Sequence, residues 1–251
     1  MYYCCGVTEK GVMPHNEDAL LIKESVIASG SSEHNIEAPF IAAVSDGVSG
    51  ERSGEIASKM CLELLQKIGY DSRVSLEERL LSVHRELAEY SESDPEIHNM
   101  QATVCGIAVE ENNRLFIFNV GDSRLYRFRD GRIKQISRDQ SLVQLLIDEG
   151  AITTEERKTH VHRNIIFPVL GNVRSAPQID VTELEGGMES GDLLLLCTDG
   201  LSDYVSKLDL EEILEMPKNL KTRLHLLVDK ALENGSKDNI TVIAVVYCEK
   251  Q

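Results

Sequence analysis

Basic residues are scarce in this sequence: 26 Lys and Arg stand against 42 Asp and Glu, a net charge of −16 over 251 residues. An acidic chain with no offsetting basic stripe repels phosphate backbones, which argues against nucleic acid as a partner. The six cysteines, at positions 4, 5, 61, 105, 197 and 248, form no CxxC pair and no regular spacing. They read as buried thiols in a reduced cytoplasm, not as a disulfide framework. Apolar runs are short; Leu193 to Cys197 is among the longest, far below a membrane span. The opening MYYCCGVTEKG lacks a basic stretch followed by an apolar one, so no signal peptide is expected. No internal repeat or low-complexity tract is found. What is present is ordinary for a globular chain, with 42% hydrophobic and 27% charged residues. A chain of this length buries roughly three quarters of its unfolded surface. One domain over residues 1–251 is expected, monomeric, cytoplasmic and without membrane contact.

Strand signals cluster at Phe40–Ser45, Thr103–Val109, Arg114–Val120, Ser123–Arg129, Arg132–Ile136, Leu193–Thr198 and Ile240–Cys248. Asp130-Gly131 between two of these runs is the strongest short hairpin signal. Helical periodicity is read over Ser53–Ile68, stopping at Gly69, and over Ser75–Tyr90, which opens with the capping box Ser75-x-x-Glu78. Further helices are expected over Ser141–Glu149, before Gly150, and over about 219–233, before Gly235. The polar stretches 30–38 and 91–99 read as surface loops. Consecutive hairpins exclude a wholly parallel sheet and suggest antiparallel sheets with helices outside them.

Four aspartates share one context, the end of an apolar strand beside a turn: Asp46, Asp122, Asp199 and Asp238. A further acidic pair, Glu17-Asp18, precedes an apolar run. One such aspartate is ordinarily a turn residue. Several converging on one sheet edge would repel and desolvate one another, at several kcal/mol, unless a cation compensates. Oxygen ligands without paired His or Cys suit hard divalent ions, Mg²⁺ or Mn²⁺. Two such ions can lower the pKa of a water and clamp a phosphoryl transfer.

Motifs around these residues run in a set order. They begin with Gly11…Asn16-Glu17-Asp18-Ala19, Asp46-Gly47-Val48-Ser49-Gly50 with Ser53-Gly54-Glu55, and Ala102-Thr103. Gly121-Asp122-Ser123-Arg124-Leu125-Tyr126, Arg138-Asp139-Gln140-Ser141, then His160 with Arg163-Asn164 and Leu170-Gly171 follow. The series closes on Cys197-Thr198-Asp199-Gly200-Leu201-Ser202-Asp203 and Gly235-Ser236-Lys237-Asp238-Asn239-Ile240-Thr241. Read in this order, the motifs resemble the metal-dependent (type 2C) serine/threonine protein phosphatases in their short bacterial form.

The resemblance implies an α+β fold, a four-layer α/β/β/α sandwich of two packed antiparallel sheets flanked by helices. It implies two divalent ions, Mn²⁺ or Mg²⁺, with a weaker third. Asp46 would bridge the two, the Gly47 carbonyl would bind one, and Asp199 and Asp238 the other. Glu17 would hold a metal-bound water, with Asp18 beside it, and Asp122 with Asp199 would mark the third position. Asn239 would support Asp238 or contact the phosphate. The nucleophile would be the bridging water or hydroxide, acting on phosphoserine and phosphothreonine of protein substrates made by a serine/threonine kinase.

Two departures stand out. Met13 occupies the place of the family's phosphate-gripping arginine, and a thioether supplies neither the fork of donors nor the charge. Lys10 and Arg163 are the candidate substitutes. Asp46-Gly47-Val48-Ser49-Gly50 departs from the usual Asp-Gly-Met-Gly-Gly. Together these raise a second reading, a catalytically weak regulatory module that binds metal or phosphoprotein. His15 is weighed as a proton donor and reads as a solvent-exposed loop residue; His160 and His162 are weighed as a metal pair and set aside for want of flanking ligands. The segment 138–173 matches the family's flap beside the active site, where a role in substrate selection is expected. Arg124 is expected to form a structural ion pair, and Cys197 to be an inert buried thiol.

Overall fold

The computed structural model describes residues 1–48, 52–68, 74–93, 97 and 99–248, the side chains of Arg52 and Ile68 excepted. Twelve strands and seven helices follow in chain order among these residues. Strands β1 (Tyr2–Glu9), β2 (Asp18–Ile22), β3 (Ser25–Ile27), β4 (Gly30–Ile36) and β5 (Phe40–Asp46) come first. Helices α1 (Arg52–Ile68) and α2 (Leu76–Ser93) lead to β6 (Val104–Val109), β7 (Leu115–Val120), β8 (Arg124–Arg129) and β9 (Arg132–Gln135). Then come α3 (Leu142–Asp148), α4 (Thr154–Arg157), β10 (Asp180–Glu183), β11 (Leu193–Cys197), α5 (Asp199–Ser202), α6 (Lys207–Glu215), α7 (Leu220–Glu233) and β12 (Ile240–Tyr247).

Two six-stranded antiparallel sheets result, in the orders β4-β1-β12-β11-β8-β9 and β10-β7-β6-β5-β2-β3. Strands buried on both faces read as continuous apolar runs, because alternate side chains serve different layers. Leu194 and Leu196 of β11 meet Ala42 and Val44 of β5 in the core between the sheets. Leu193, Leu195 and Cys197 point the other way, to a core shared with α6 and α7. On the far side Ile41 and Ala43 of β5 pack with Ala57, Cys61 and Leu65 of α1 and Leu80 and Leu87 of α2. The expected helix/sheet/sheet/helix layering is therefore present.

Local chemistry sets the boundaries. The Ser75 hydroxyl accepts from the Glu78 amide while the Glu78 carboxylate accepts from the Ser75 amide, the expected capping box. Ser141 and Asn219 cap α3 and α7. Asp130 and Gly131 both have positive φ, as a two-residue hairpin turn requires.

Two loop expectations need correction. Residues 30–36 form the edge strand β4, paired with β1 from Tyr2↔Ile36 to Thr8↔Gly30. Their polarity reflects an edge with one neighbour, where solvent replaces the missing face, not an absence of strand. Residues 91–93 still belong to α2; 94–96 and 98 lie outside the described residues, as does the expected helix stop at Gly69. The cysteines behave as expected: five are buried and Cys248 is partly exposed. Burial pushes the Cys5, Cys61 and Cys197 thiols up to about 12, which leaves them protonated and unreactive. Among the described residues no helix is long and apolar enough to cross a membrane.

Candidate metal centre

The acidic strand ends meet at one pole of the sandwich. Asp46 closes β5 directly opposite Asp18, which opens β2. Asp122 follows β7, Asp199 follows β11 and Asp238 precedes β12. In antiparallel order one strand's end lies beside its neighbour's start, so both kinds of position share an edge. Glu17, Asp46, Asp122, Asp199 and Asp238 line a single open cavity of about 280 Å³, with Met13, Gly47, Val48, Asn164, Ile166 and Asn239. Asp18 is 1% exposed and accepts a 2.7 Å hydrogen bond from the Thr198 hydroxyl.

The backbone around the cavity is pinned. The Asp46 carbonyl accepts from the Thr103 amide at 2.8 Å, and the Asp46 amide donates to the Thr103 hydroxyl at 3.1 Å. The Gly47 amide donates to the Glu17 carbonyl at 3.0 Å. A Cβ at Gly47 would fall 2.0 Å from the Gly54 carbonyl oxygen, so only glycine lets α1 come this close to the end of β5. Likewise a Cβ at Gly200 would fall 1.9 Å from the Asn239 carbonyl oxygen. That close approach brings the segment after Asp199 against the one carrying Asp238.

Asn239 ties the amino-terminal loop to this edge. Its Nδ2 donates to the carbonyls of Lys10 at 3.0 Å and His15 at 2.8 Å, and its Oδ1 accepts from the Glu17 amide at 2.8 Å. Both amide hydrogens are thereby engaged, and the side chain acts as a clamp that sets where Glu17 stands.

Electrostatics demand a cation. Burial, then Asp18, Asp199, Asp238 and Asp122, all push the Asp46 carboxyl well above the usual carboxylate range. Asp199 is pushed up by burial and then by Asp122, Asp238, Asp203 and Asp18. Burial first, then Asp139 and Asp203, take Asp122 up to about 7, partly offset by Arg124. Burial takes Asp18 up to about 7 despite hydrogen bonds from Thr198 and Thr241. Among the described residues no Lys, Arg or His lines the cavity. The donors are oxygens throughout, the set that suits hard divalent ions. No three His, Cys, Asp or Glu side chains close around one point among the described residues. A backbone carbonyl and waters would thus help the carboxylates complete the shell of an ion here, the usual manner for Mg²⁺. The residues fit such ions.

Comparison with known proteins decides the family. The family model for protein phosphatase 2C matches residues 28–232. The chain belongs to the protein phosphatase 2C family. It is 31% identical over 248 residues to serine/threonine phosphatase stp of Listeria monocytogenes, covering 95% of this chain and 93% of that one. It is 35% identical over 206 residues to serine/threonine protein phosphatase PstP of Mycobacterium tuberculosis, covering 80% of this chain but only 39% of that longer protein. The solved catalytic domain of PstP in complex with two manganese ions superposes with a TM-score of 0.78 at 29% identity, covering 99% of this chain and all of that one.

In this phosphatase 2C chain the remaining candidates lie apart from the cavity. The Lys10 side chain is exposed, and only its carbonyl reaches the site, through Asn239. Arg163 lines a neighbouring cavity. His15 is exposed and contributes its carbonyl to the Asn239 clamp. The His160 and His162 rings lie 5.6 Å apart, and no third ligand joins them among the described residues. Arg124 is the expected structural ion pair, 2.8 Å from Asp139. Val48 lines the cavity, whereas Ser49 and Gly50 lie outside the described residues. Asn164 and Ile166 were given no role by sequence reasoning, yet both line the cavity. The only signal was the Arg163-Asn164 match; which of the two faces the cavity depends on how the segment folds back on the sheet edge.

Proposed function

We propose that this chain hydrolyses phosphoserine and phosphothreonine in proteins, using two divalent ions, Mn²⁺ or Mg²⁺, held at the cavity. The observation that carries this reading is the convergence of five carboxylates on one cavity, with no compensating side-chain cation among the described residues. When bound, the ions supply a water of lowered pKa and neutralise the charge that develops on the phosphoryl group. Asp46 would serve both ions, with the Gly47 carbonyl on one and Asp199 and Asp238 on the other. Asp122, with Asp199, would mark a weaker third position. Glu17 would hold a water by hydrogen bonding, its place set by Asn239. Asp18, buried and fixed by Thr198, would orient its neighbours instead of meeting substrate. The reading treats residues 1–251 as one catalytic domain in the cytoplasm, acting on products of a serine/threonine kinase.

p-Nitrophenyl phosphate hydrolysis with Mn²⁺, Mg²⁺ or EDTA tests it. Turnover is expected with a divalent ion and absent with EDTA. No turnover under any condition, or turnover indifferent to EDTA, would overturn it. Met13 lines the cavity, and among the described residues no guanidinium does. Met13→Arg is therefore expected to lower KM for p-nitrophenyl phosphate about three- to tenfold, by adding a charge-assisted phosphate contact. An unchanged KM would mean that the phosphate is held by other groups.

A further inference from the structure

A second cavity, of about 330 Å³, adjoins the carboxylate cavity and carries the opposite charge. It is lined by Arg157 at the end of α4, by Lys158, Thr159 and Arg163 from the segment after it, and by Asp203 and Tyr204, which follow α5. Three cations face one carboxylate, in a chain whose net charge is −16.

No residue lines both cavities, but their walls are continuous along the chain. Arg163 lines the basic one and the next residue, Asn164, lines the acidic one. On the other side α5 starts at Asp199, which lines the acidic cavity, and leads to Asp203 in the basic one.

The basic wall is built, not a chance of floppy side chains. The α4 cap is a full capping box between Thr153 and Glu156. Successive backbone bonds then carry the chain to Arg163, from the Thr159 amide to Glu156, His160 to Arg157, and Arg163 to His160. Arg157 anchors this segment, lying 2.7 Å from Asp139 and 3.4 Å from Asp203. Arg124 lies 3.5 Å from Asp203, so that carboxylate is already answered by two guanidiniums. Neither Lys158 nor Arg163 makes an ion pair among the described residues. Both remain available to an incoming anion.

We propose that the cavity formed by Lys158, Thr159, Arg163 and Tyr204 is an anion subsite that holds a negatively charged group flanking the scissile phosphoresidue of a protein substrate. The inference rests on the phosphatase reading above. The shared chemistry is an oxyanion, either a carboxylate or a second phosphate. Arg163 offers a planar fork of donors, Lys158 a mobile charge, and the Tyr204 hydroxyl a further donor, while the Thr159 hydroxyl is engaged with the Glu156 carbonyl at 3.4 Å. Adjacency means that a flanking group only a few residues along an extended peptide would reach the subsite. The metal cavity would be indifferent to sequence, and the basic cavity would supply the preference for acidic or doubly phosphorylated segments.

The test uses three phosphothreonine peptides with identical scissile residues, flanked by glutamine, by glutamate, or by a second phosphothreonine. KM is compared between the native chain and Lys158→Ala/Arg163→Ala, with Mn²⁺ present and p-nitrophenyl phosphate as control. The double variant is expected to raise KM about tenfold for the glutamate and doubly phosphorylated peptides. The glutamine peptide and p-nitrophenyl phosphate should stay within about twofold, since neither reaches the subsite. A larger effect on one flanked peptide assigns the subsite to carboxylate or phosphate. Equal changes for all three peptides, or none, would overturn the subsite and leave the phosphatase intact. Failure of the native chain to hydrolyse p-nitrophenyl phosphate would overturn the phosphatase reading and the subsite with it. Lys158→Arg/Arg163→Lys should restore most of the preference, which a merely structural role would not require.

Discussion

Asp46→Asn is expected to abolish divalent-ion-dependent turnover, by about a thousandfold or more. It should also raise the melting temperature of the metal-free protein. The two effects come from one charge. On Asp46, as on Asp199, burial and four neighbouring carboxylates act in the same direction. Asparagine keeps the shape of the side chain and removes the repulsion, worth about 1–3 kcal/mol by analogy with other uncompensated buried charges. For a chain of this size each kcal/mol moves the melting point by about 2–4 °C. Mn²⁺ should stabilise the native chain by mass action, at roughly 2.7 kcal/mol when present at a hundred times its dissociation constant, and stabilise the variant much less. Calorimetry with EDTA and with Mn²⁺, run beside the turnover assay, reads all three effects. A variant that keeps native turnover would remove Asp46 from the metal centre.

Arg124→Met is expected to have the largest effect on stability, about 3–5 kcal/mol, or roughly 10 °C in melting temperature. Arg124 has a side chain 8% exposed against an Asp139 side chain that is wholly buried. Its Nε and Nη2 meet both Asp139 oxygens, and Nη1 donates to the Tyr126 hydroxyl and the Ser202 carbonyl, each at 3.3 Å. Methionine fills the volume and abandons the buried carboxylate. Arg157 and Gln135 still reach Asp139, at 2.7 Å each, which keeps the loss finite. The deficit should depend on pH with a definite sign. Burial already raises the Asp139 carboxyl, and Arg124 is the principal influence holding it down. In the variant that carboxyl rises further, so the folded state prefers its neutral form and gains relative stability as pH falls. The difference from the native chain should be larger at pH 8 than at pH 5.5. A loss below 2 °C at both would make the pair no stronger than a surface one.

The sandwich was legible where strands are buried on both faces. Leu193–Cys197 and Ile240–Tyr247 announce themselves as apolar runs because one row of side chains enters the core between the sheets and the other enters the helix layer. β1 was not legible, since Cys4, Cys5 and Gly6 carry no periodic signal although all three are buried. β4 was read as a loop because an edge strand with a solvated face looks like one. At the site, the aspartates were legible because strand ends and turns impose a recognisable local context. The contributions of Asn164 and Ile166 were not, because they depend on where a long irregular segment returns to the core. Leu142 donates to the Ile165 carbonyl, and Ala102 and Leu170 exchange backbone bonds, and it is these contacts that deliver residues 164–166 to the cavity. Such pairings join positions far apart in sequence and leave no periodic trace.

The register of β1 against β12 bears on how the protein can be handled. Tyr2 lies opposite Tyr247 at one pole, and Glu9 lies opposite Ile240 at the other, next to Asp238. Met1 and Cys248 exchange backbone hydrogen bonds at the first pole. Eight residues of strand therefore separate Met1 and Cys248 from the acidic mouth, a distance of roughly 25 Å. A label on the partly exposed Cys248 thiol would leave the mouth facing solution, so the protein could be fixed to a surface there without blocking access.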